Sequence, residues 1–177
     1  AVCGSMGIDS HKVMELLCRD NKLNISPAYL RPGFAFGGSC LPKDLRALSH
    51  AARKSGVEAP LFDSVLDSNQ AQIEALVSRL SSRRGARIGI AGLAFKSGTD
   101  DLRESPMVRV AEALLGKGFE VHLFDSNVSL SRLMGANKAY IEREIPHLSR
   151  LLRSDLSQVI EASDIFVIAN RDGVTSE

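Results

Sequence analysis

One cysteine in this sequence has neighbours that favour nucleophilic chemistry. Cys40 follows Gly37-Gly38-Ser39 and precedes Pro42, a residue typical of the first turn of a helix. The amino end of a helix carries partial positive charge and Lys43 adds a full one, and both favour a thiolate over a thiol. The two glycines let backbone amides approach a substrate or a developing oxyanion closely. Asp44, four residues after the cysteine, could position a water molecule, so the segment predicts a reactive thiol.

The same residues also suit a purely structural segment. Two glycines before a helix are common turn chemistry, an aspartate in the first turn commonly stabilises a helix, and most lone cysteines are inert. A cysteine hydrolase is a third possibility, but it needs a histidine base beside Cys40. His50 lies about three helical turns away, which is too far for that role. Spacing alone leaves the catalytic and the structural interpretations open.

The first 80 or so residues have a helical pattern around one loop. Apolar side chains recur at three- and four-residue spacing in three segments. These predicted helices begin after Asp9-Ser10, at Pro42 and at Pro60. Residues 27–40 are rich in Gly and Pro and predict a loop. Asn69 and Gln70 interrupt the apolar stripe of the third helix, which indicates that it packs against more than one neighbour.

From Ala86 onward, strand-like apolar runs alternate with helical segments. The predicted strands are residues 86–92, 119–125 and 164–168, and the predicted helices are residues 106–115 and 156–162. This order predicts a parallel sheet with right-handed crossovers. The fold class is therefore α/β, with a helical central segment followed by a Rossmann-like parallel-sheet domain. We expect a helical domain over residues 1–82 that carries the cysteine loop, and a sheet domain over residues 83–177 that is incomplete at its carboxyl end.

Two long motifs resemble those of a known family. Residues 33–44, Gly-Phe-Ala-Phe-Gly-Gly-Ser-Cys-Leu-Pro-Lys-Asp, resemble the active-cysteine motif of the UDP-glucose/GDP-mannose dehydrogenase family. Residues 92–106, Gly-Leu-Ala-Phe-Lys-Ser-Gly-Thr-Asp-Asp-Leu-Arg-Glu-Ser-Pro, are similar to the nucleotide-sugar-domain motif of that family. The resemblance covers nearly the whole chain, including Gly7-Ile8-Asp9 and the helix that contains Asn69. Residues 29–33 resemble the GDP-mannose branch.

The resemblance implies a four-electron oxidation of a nucleotide sugar at C6, with NAD as cofactor. In the GDP-mannose branch, GDP-mannose becomes GDP-mannuronate, which implies a role in alginate biosynthesis. One NAD oxidises the alcohol, Cys40 attacks the aldehyde to form a thiohemiacetal, and a second NAD leaves a thioester that water hydrolyses. Two alternatives stay open. One is a UDP-glucose 6-dehydrogenase, and the other, for these residues by themselves, is a non-catalytic nucleotide-binding or dimerisation module.

The resemblance also implies roles for individual residues. Cys40 is the nucleophile, and Asp44 positions or deprotonates the hydrolytic water. Substrate binding is implied for Tyr29, Arg31, Phe34, Gly37 and Lys96, and cofactor binding for Lys43 and Arg103. Without the resemblance, loop packing accounts for the two aromatic residues and solvation accounts for the charged ones.

A dinucleotide fingerprint is missing from these residues. Residues 89–94 lack the glycine spacing that a Rossmann NAD site requires, so we interpret Asp125, at the end of the next strand, as structural. The family carries an N-terminal NAD domain upstream, together with a lysine and an asparagine that serve the first oxidation. We therefore expect these 177 residues to need that domain as a partner and to show little or no turnover alone.

Bulk composition excludes several other classes. The chain is 44% hydrophobic and 24% charged with a net charge of +1, which gives no electrostatic case for binding nucleic acid or a membrane surface. Its longest apolar run, residues 88–95, is too short to cross a bilayer. Three cysteines without a Cys-x-x-Cys pair predict neither a disulfide framework nor a metal site, and favour a cytoplasmic location. The family is typically oligomeric, so we expect a homo-oligomer, a dimer or higher, with the helix over residues 62–80 at the seam.

Overall fold

The computed structural model describes residues 3, 7–22, 26–30, 33–128, 141, 143 and 145–170. The chain divides into two compact units, residues 1–34 and 35–177. In the first unit, helix α1 (Ser10–Leu17) begins after Asp9, whose side chain accepts a hydrogen bond from the His11 amide at 2.9 Å. A short 3-10 helix (Pro27–Leu30) follows. The prediction that residues 27–40 are loop throughout is therefore wrong at its start, because the fixed φ of proline suits the first residue of a tight helical turn.

Two helices open the second unit. Helix α2 (Leu41–Lys54) has a proline in its first turn and Arg53 and Lys54 in its last, where their charges complement the helix dipole. It ends before Gly56, which has φ +68°, so the predicted stop is confirmed. Helix α3 (Pro60–Ser81) is 22 residues long and buries Ile73, Val77 and Leu80.

A four-stranded parallel sheet forms the rest of the second unit. Its strands are β1 (Ile88–Ala91), β2 (Val121–Phe124), β3 (Leu152–Arg153) and β4 (Ile165–Ile168), in the order β3-β2-β1-β4. Helices α4 (Pro106–Gly116), α5 (Leu148–Leu151) and α6 (Leu156–Glu161) alternate with the strands. The α/β prediction is confirmed. The two-residue strand β3 was not predicted, because two residues are too few to show an alternating pattern.

The core lies mainly on one face of this sheet. Side chains at alternate positions of the central strands pack with those of α3 and α4: Ile88, Ile90, Val121 and Leu123 from the strands, and Ile73, Val77, Val110 and Leu114 from the helices. Burying each such side chain stabilises the fold by about 1.5–3 kcal/mol. The opposite face is smaller and packs Ala91 and Phe124 against Val159 of α6. Helix α3 is therefore joined to the sheet through α4, and the predicted boundary at residues 82 and 83 stays a prediction.

Among the described residues, we find no helix that combines the length and the apolar character needed to cross a bilayer.

Candidate active site

Cys40 is the residue that begins helix α2. It is the N-cap, and its carbonyl oxygen accepts a hydrogen bond from the Asp44 amide at 2.8 Å. Its side chain is exposed and makes no capping hydrogen bond, while the Ser39 hydroxyl lies 3.8 Å from the sulfur. Cys3, Cys18 and Cys40 are all free thiols. An accessible sulfur at the positive end of a 14-residue helix is well placed to attack an electrophile.

The backbone just before the cysteine is held by helix α3. The Phe36 amide donates to Asn69 Oδ1 at 2.8 Å, and Asn69 Nδ2 donates to the Phe36 carbonyl at 3.0 Å. One side chain thus satisfies both polar groups of a residue 33 positions away. Helix α3 packs against both α2 and the helix that begins at Pro106, which confirms the expectation that it has more than one neighbour.

The turn that follows Phe36 packs on the segment that precedes α4. The Gly38 amide donates to the Arg103 carbonyl at 3.1 Å. A Cβ atom on Gly37 would collide with the Glu104 carbonyl oxygen, and one on Gly38 would come within 2.8 Å of the Phe95 ring. Gly37 and Gly38, which come just before Cys40, therefore pack on residues 95 and 103–106, which lie far away in sequence, through a contact that requires glycine at both positions.

At the surface, an ion pair joins helix α2 to the segment that precedes α4. Arg46 of α2 pairs with Glu104, and both side chains are about half exposed. Glu104 has φ +54°, a left-handed conformation that is uncommon for residues other than glycine. Its carbonyl thus faces Gly37 while its carboxylate faces α2.

Arg103 brings positive charge to the neighbourhood of the thiol. Its guanidinium binds Asp101 with two hydrogen bonds, of 2.8 and 2.7 Å, and its amide donates to the same carboxylate at 3.0 Å. The hydrogen bond from Arg103 is the main cause that lowers the pKa of Asp101. The same bond is the main cause that raises the pKa of Arg103, and an electrostatic interaction with Cys40 is the least of the causes. The sulfur and the guanidinium are thus close enough to interact electrostatically.

Asp125 holds the loop that leaves β1. It is buried, and its Oδ2 accepts hydrogen bonds from the Leu93 and Ala94 amides at 2.7 and 2.9 Å. These are the amides that would face a dinucleotide phosphate in a Rossmann site, and α4 begins only at Pro106. The carboxyl end of β1 therefore does not fit NAD, and Asp125 has the structural contacts that its sequence context predicts.

The other predicted site residues differ in position. Asp44 and Lys43 lie in the first turn of α2, both largely exposed, with their charged atoms 3.2 Å apart. Lys96 is exposed on the loop after β1. In the first unit, the backbone of Tyr29 lies in the 3-10 helix and Phe34 is exposed, while Arg31 lies outside the described residues. The structure thus brings Cys40, Gly37 and Arg103 together.

Sequence patterns did not assign a site role to Asn69, Asp101 or Ser105. The Ser105 side chain is fully buried, caps α4 through the Met107 amide and donates to the Leu93 carbonyl. A polar residue that interrupts an apolar helical stripe was a usable signal for Asn69. A serine followed by proline at a helix start was a usable signal for Ser105.

The fold is an α/β domain with a parallel sheet of the Rossmann type. Against it packs a helical segment that presents an exposed thiol, Cys40. Residues 1–71 match the model of the central domain of the UDP-glucose/GDP-mannose dehydrogenase family. Residues 89–173 match the model of its UDP-binding domain. The chain belongs to the UDP-glucose/GDP-mannose dehydrogenase family.

Individual relatives show the same similarity. The chain is 52% identical to the GDP-mannose 6-dehydrogenase of Pseudomonas syringae pv. syringae, over 97% of this chain and 39% of that protein. It is 39% identical to the UDP-glucose 6-dehydrogenase AglM of Haloferax volcanii, over 70% of this chain and 29% of that protein. A crystal structure of a ternary complex of GDP-mannose dehydrogenase from Pseudomonas aeruginosa is 50% identical with a TM-score of 0.78, covering 98% of this chain and 40% of that one. The chain therefore spans about two fifths of the length of these GDP-mannose relatives.

Proposed function

We propose that this chain supplies the nucleophilic thiol and the nucleotide-sugar site of a GDP-mannose 6-dehydrogenase that uses NAD. The observation that carries the proposal is the contact between the Cys40 turn and residues 92–106, through Gly38 and Arg103. A thiol that bonds to C6 of a sugar must lie beside the site that holds the nucleotide of the same molecule. The contact between the two motifs supports this requirement.

The chemistry that we assign to this chain is covalent. Cys40 Sγ attacks the C6 aldehyde, and the carbonyl oxygen takes up a proton to give a thiohemiacetal. C6 loses a hydride and its hydroxyl group loses a proton twice, first from the alcohol to give the aldehyde and then from the thiohemiacetal to give the thioester. NAD, when bound, would supply the hydride acceptance in both oxidations. Water then adds to the resulting thioester, the C–S bond breaks, and the carboxylate product and the Cys40 thiol are released. The exposed position of Cys40 at a helix N-terminus supports the nucleophilic role.

The remaining residues take supporting roles in this proposal. Asp44 positions the hydrolytic water from the first turn of α2, and its ion pair with Lys43 keeps its carboxylate near the helix start. Substrate contacts are proposed for Tyr29, Arg31, Phe34, Gly37 and Lys96, and cofactor contacts for Lys43 and Arg103. Because the carboxyl end of β1 does not fit NAD, we propose that residues beyond these 177 hold most of the cofactor.

GDP-mannose is the proposed substrate because sequence identity is higher to the GDP-mannose 6-dehydrogenases than to the UDP-glucose 6-dehydrogenases. Identity is 52% over 97% of the chain for the Pseudomonas syringae enzyme, against 39% over 70% for the Haloferax UDP-glucose enzyme. Formation of GDP-mannuronate for alginate, assembly into a homo-oligomer and a cytoplasmic location are parts of the same proposal, and they rest on the family resemblance.

A chimera tests the function directly. The chain would replace the matching part of the Pseudomonas syringae enzyme, and NADH formation would be followed with GDP-mannose or UDP-glucose. We expect GDP-mannose to be oxidised with two NADH formed per sugar. Replacing the nucleophile in Cys40→Ser should lower the rate by at least about 10³-fold, because the other groups cannot form the thioester.

The matched control for this substitution is Cys18→Ser, which removes a free thiol from α1's C-cap and should leave the rate unchanged. A chimera that prefers UDP-glucose would overturn the substrate assignment. Full activity of Cys40→Ser would overturn the covalent mechanism.

A further inference from the structure

We propose that Asn69 is a positioning residue for Cys40: its carboxamide fixes the start of the turn that presents the thiol. The inference rests on the proposed function, because it gives Asn69 a role in the same site. It goes beyond that function by assigning the control of the thiol to helix α3.

The contact has the geometry that such a role needs. Asn69 makes two hydrogen bonds to one residue, with its oxygen 2.8 Å from the Phe36 nitrogen and its nitrogen 3.0 Å from the Phe36 oxygen. Both partners are partly buried, so water competes poorly with these bonds. A carboxamide is the side chain that offers one donor group and one acceptor group at this spacing.

The chain between the anchor and the thiol cannot position the cysteine by itself. Only Gly37, Gly38 and Ser39 separate Phe36 from Cys40. Glycine has the largest conformational freedom of any residue, so two in succession do not define a direction for the backbone. The turn has its observed shape because it is held at both sides, at Phe36 by Asn69 and at Gly38 by the Arg103 carbonyl.

Helix α3, which carries Asn69, is held in place by the main core. Ile73 and Val77 of α3 are buried in the main core, about one and two turns after Asn69. The neighbouring Gln70 makes different bonds, donating to Glu74 and accepting from Arg109 of α4. The position of α3 on the core is therefore transmitted to the cysteine turn through Asn69.

Thiol alkylation tests this role without any enzymatic turnover. In the 177-residue chain with Cys3→Ser and Cys18→Ser, iodoacetamide would label Cys40 alone. We expect Asn69→Ala to slow the labelling at neutral pH about two- to fivefold, because a loosened turn lets the sulfur leave the positive helix end. Asn69→Asp keeps the acceptor for the Phe36 amide and loses the donor to the Phe36 carbonyl. Its labelling rate should therefore lie between that of the chain with Asn69 and that of Asn69→Ala.

The matched control is Gln70→Ala, which removes an adjacent carboxamide of α3 that does not bind the turn and should leave the rate unchanged. Hydrogen exchange at the Phe36 amide gives a second measurement. Its protection should fall in Asn69→Ala and persist in Asn69→Asp. Thermal unfolding establishes that each variant is folded, and if Asn69→Ala does not fold, Asn69→Asp decides.

An unchanged or faster labelling rate in the folded Asn69 variants would overturn the inference. So would equal slowing in Gln70→Ala, since the effect would then belong to α3 in general. Neither measurement uses NAD or a nucleotide sugar, so a failure here leaves the proposed function standing, and an inactive chimera leaves the role of Asn69 standing.

Discussion

At the scale of single residues, the two glycines before Cys40 meet different demands. Gly38 has φ +90°, a conformation that side-chain-bearing residues rarely adopt. Gly37 has no such constraint, but its α-carbon faces the Glu104 carbonyl and Pro106. Gly38 therefore provides the turn, and Gly37 provides close contact with the second motif. The resemblance implied substrate binding for Gly37, and its packing against Glu104 is a further reason for glycine there.

We expect Gly37→Ala to destabilise the chain by about 1–3 kcal/mol, because the added methyl group meets backbone atoms that cannot rotate away. Urea unfolding would measure the loss. Gly116→Ala is the matched control, since Gly116 also lacks a positive φ and a methyl group there meets no atom within 4 Å. Being in the last position of α4, that control should be neutral or slightly stabilising. Equal stability of the two variants would show that the segment around Glu104 moves away from residue 37 at no cost in free energy.

At the scale of elements, β1 and β4 are joined before either strand begins. The Asp164 amide donates to the Arg87 carbonyl at 2.8 Å, and the Arg87 amide donates to the Asp164 carboxylate at 2.8 Å. The guanidinium of Arg87 adds a hydrogen bond of 2.9 Å to the same carboxylate. The hydrogen bonds that the carboxylate accepts from the guanidinium of Arg87 and from the Arg87 amide lower the pKa of Asp164 to about 2. The pairing of the edge strand β4 with the central strand β1 is thus reinforced by an ion pair that depends on pH.

This contact predicts a specific acid dependence of stability. The pKa of Asp164 is lower in the folded state than its ordinary value of 3.8, so its contribution is complete above about pH 4 and is lost as the pH falls towards 2. We expect Asp164→Asn to be less stable than the parent at pH 5 and equal to it near pH 2, as measured by urea unfolding midpoints. The difference should shrink at high salt, because the pair is exposed.

Arg87→Gln serves as the partner variant in a double-mutant cycle with Asp164→Asn. If the pair is the cause, the double variant loses no more of the pH-dependent stability than either single one. A constant offset between parent and Asp164→Asn from pH 5 to pH 2 would assign the effect to a different group.

At the scale of the whole molecule, the thiol and the sheet belong to one compact unit. Helix α3 contacts both α2, which begins at the cysteine, and α4, which covers the sheet. In the loop after β1, the backbone amides that would bind a dinucleotide phosphate donate to the Asp125 carboxylate instead. These 177 residues therefore combine an exposed thiol at a helix N-cap with a β1 carboxyl end whose loop amides are already hydrogen-bonded to Asp125.

We accordingly expect the chain alone to show no sustained NAD reduction with GDP-mannose, although its thiol can still be alkylated. NADH absorbance over many turnovers is the measurement, with the chimera described above as the positive control. Sustained turnover by the 177 residues would contradict the proposal that other residues hold the cofactor.

The sequence by itself determined the local structure and the family to which the chain belongs. Helix α1 begins after Asp9, α2 ends before Gly56, and β1, β2 and β4 lie within the predicted segments, because caps and periodicity act over one or two turns. The two motifs were recognisable as continuous strings for the same reason. Strand β3 and the 3-10 helix escaped prediction because each is too short for a pattern.

Only the tertiary structure decided how the site is assembled. The hydrogen bonds from Asn69 to Phe36 and from Gly38 to Arg103 join residues whose separation along the chain carries no local signal. The same holds for Asp125, whose carboxylate accepts hydrogen bonds from backbone amides of the loop after β1. Such contacts form when the cores of α3, α4 and the sheet bring distant backbone groups together, because each buried donor and acceptor must then find a partner.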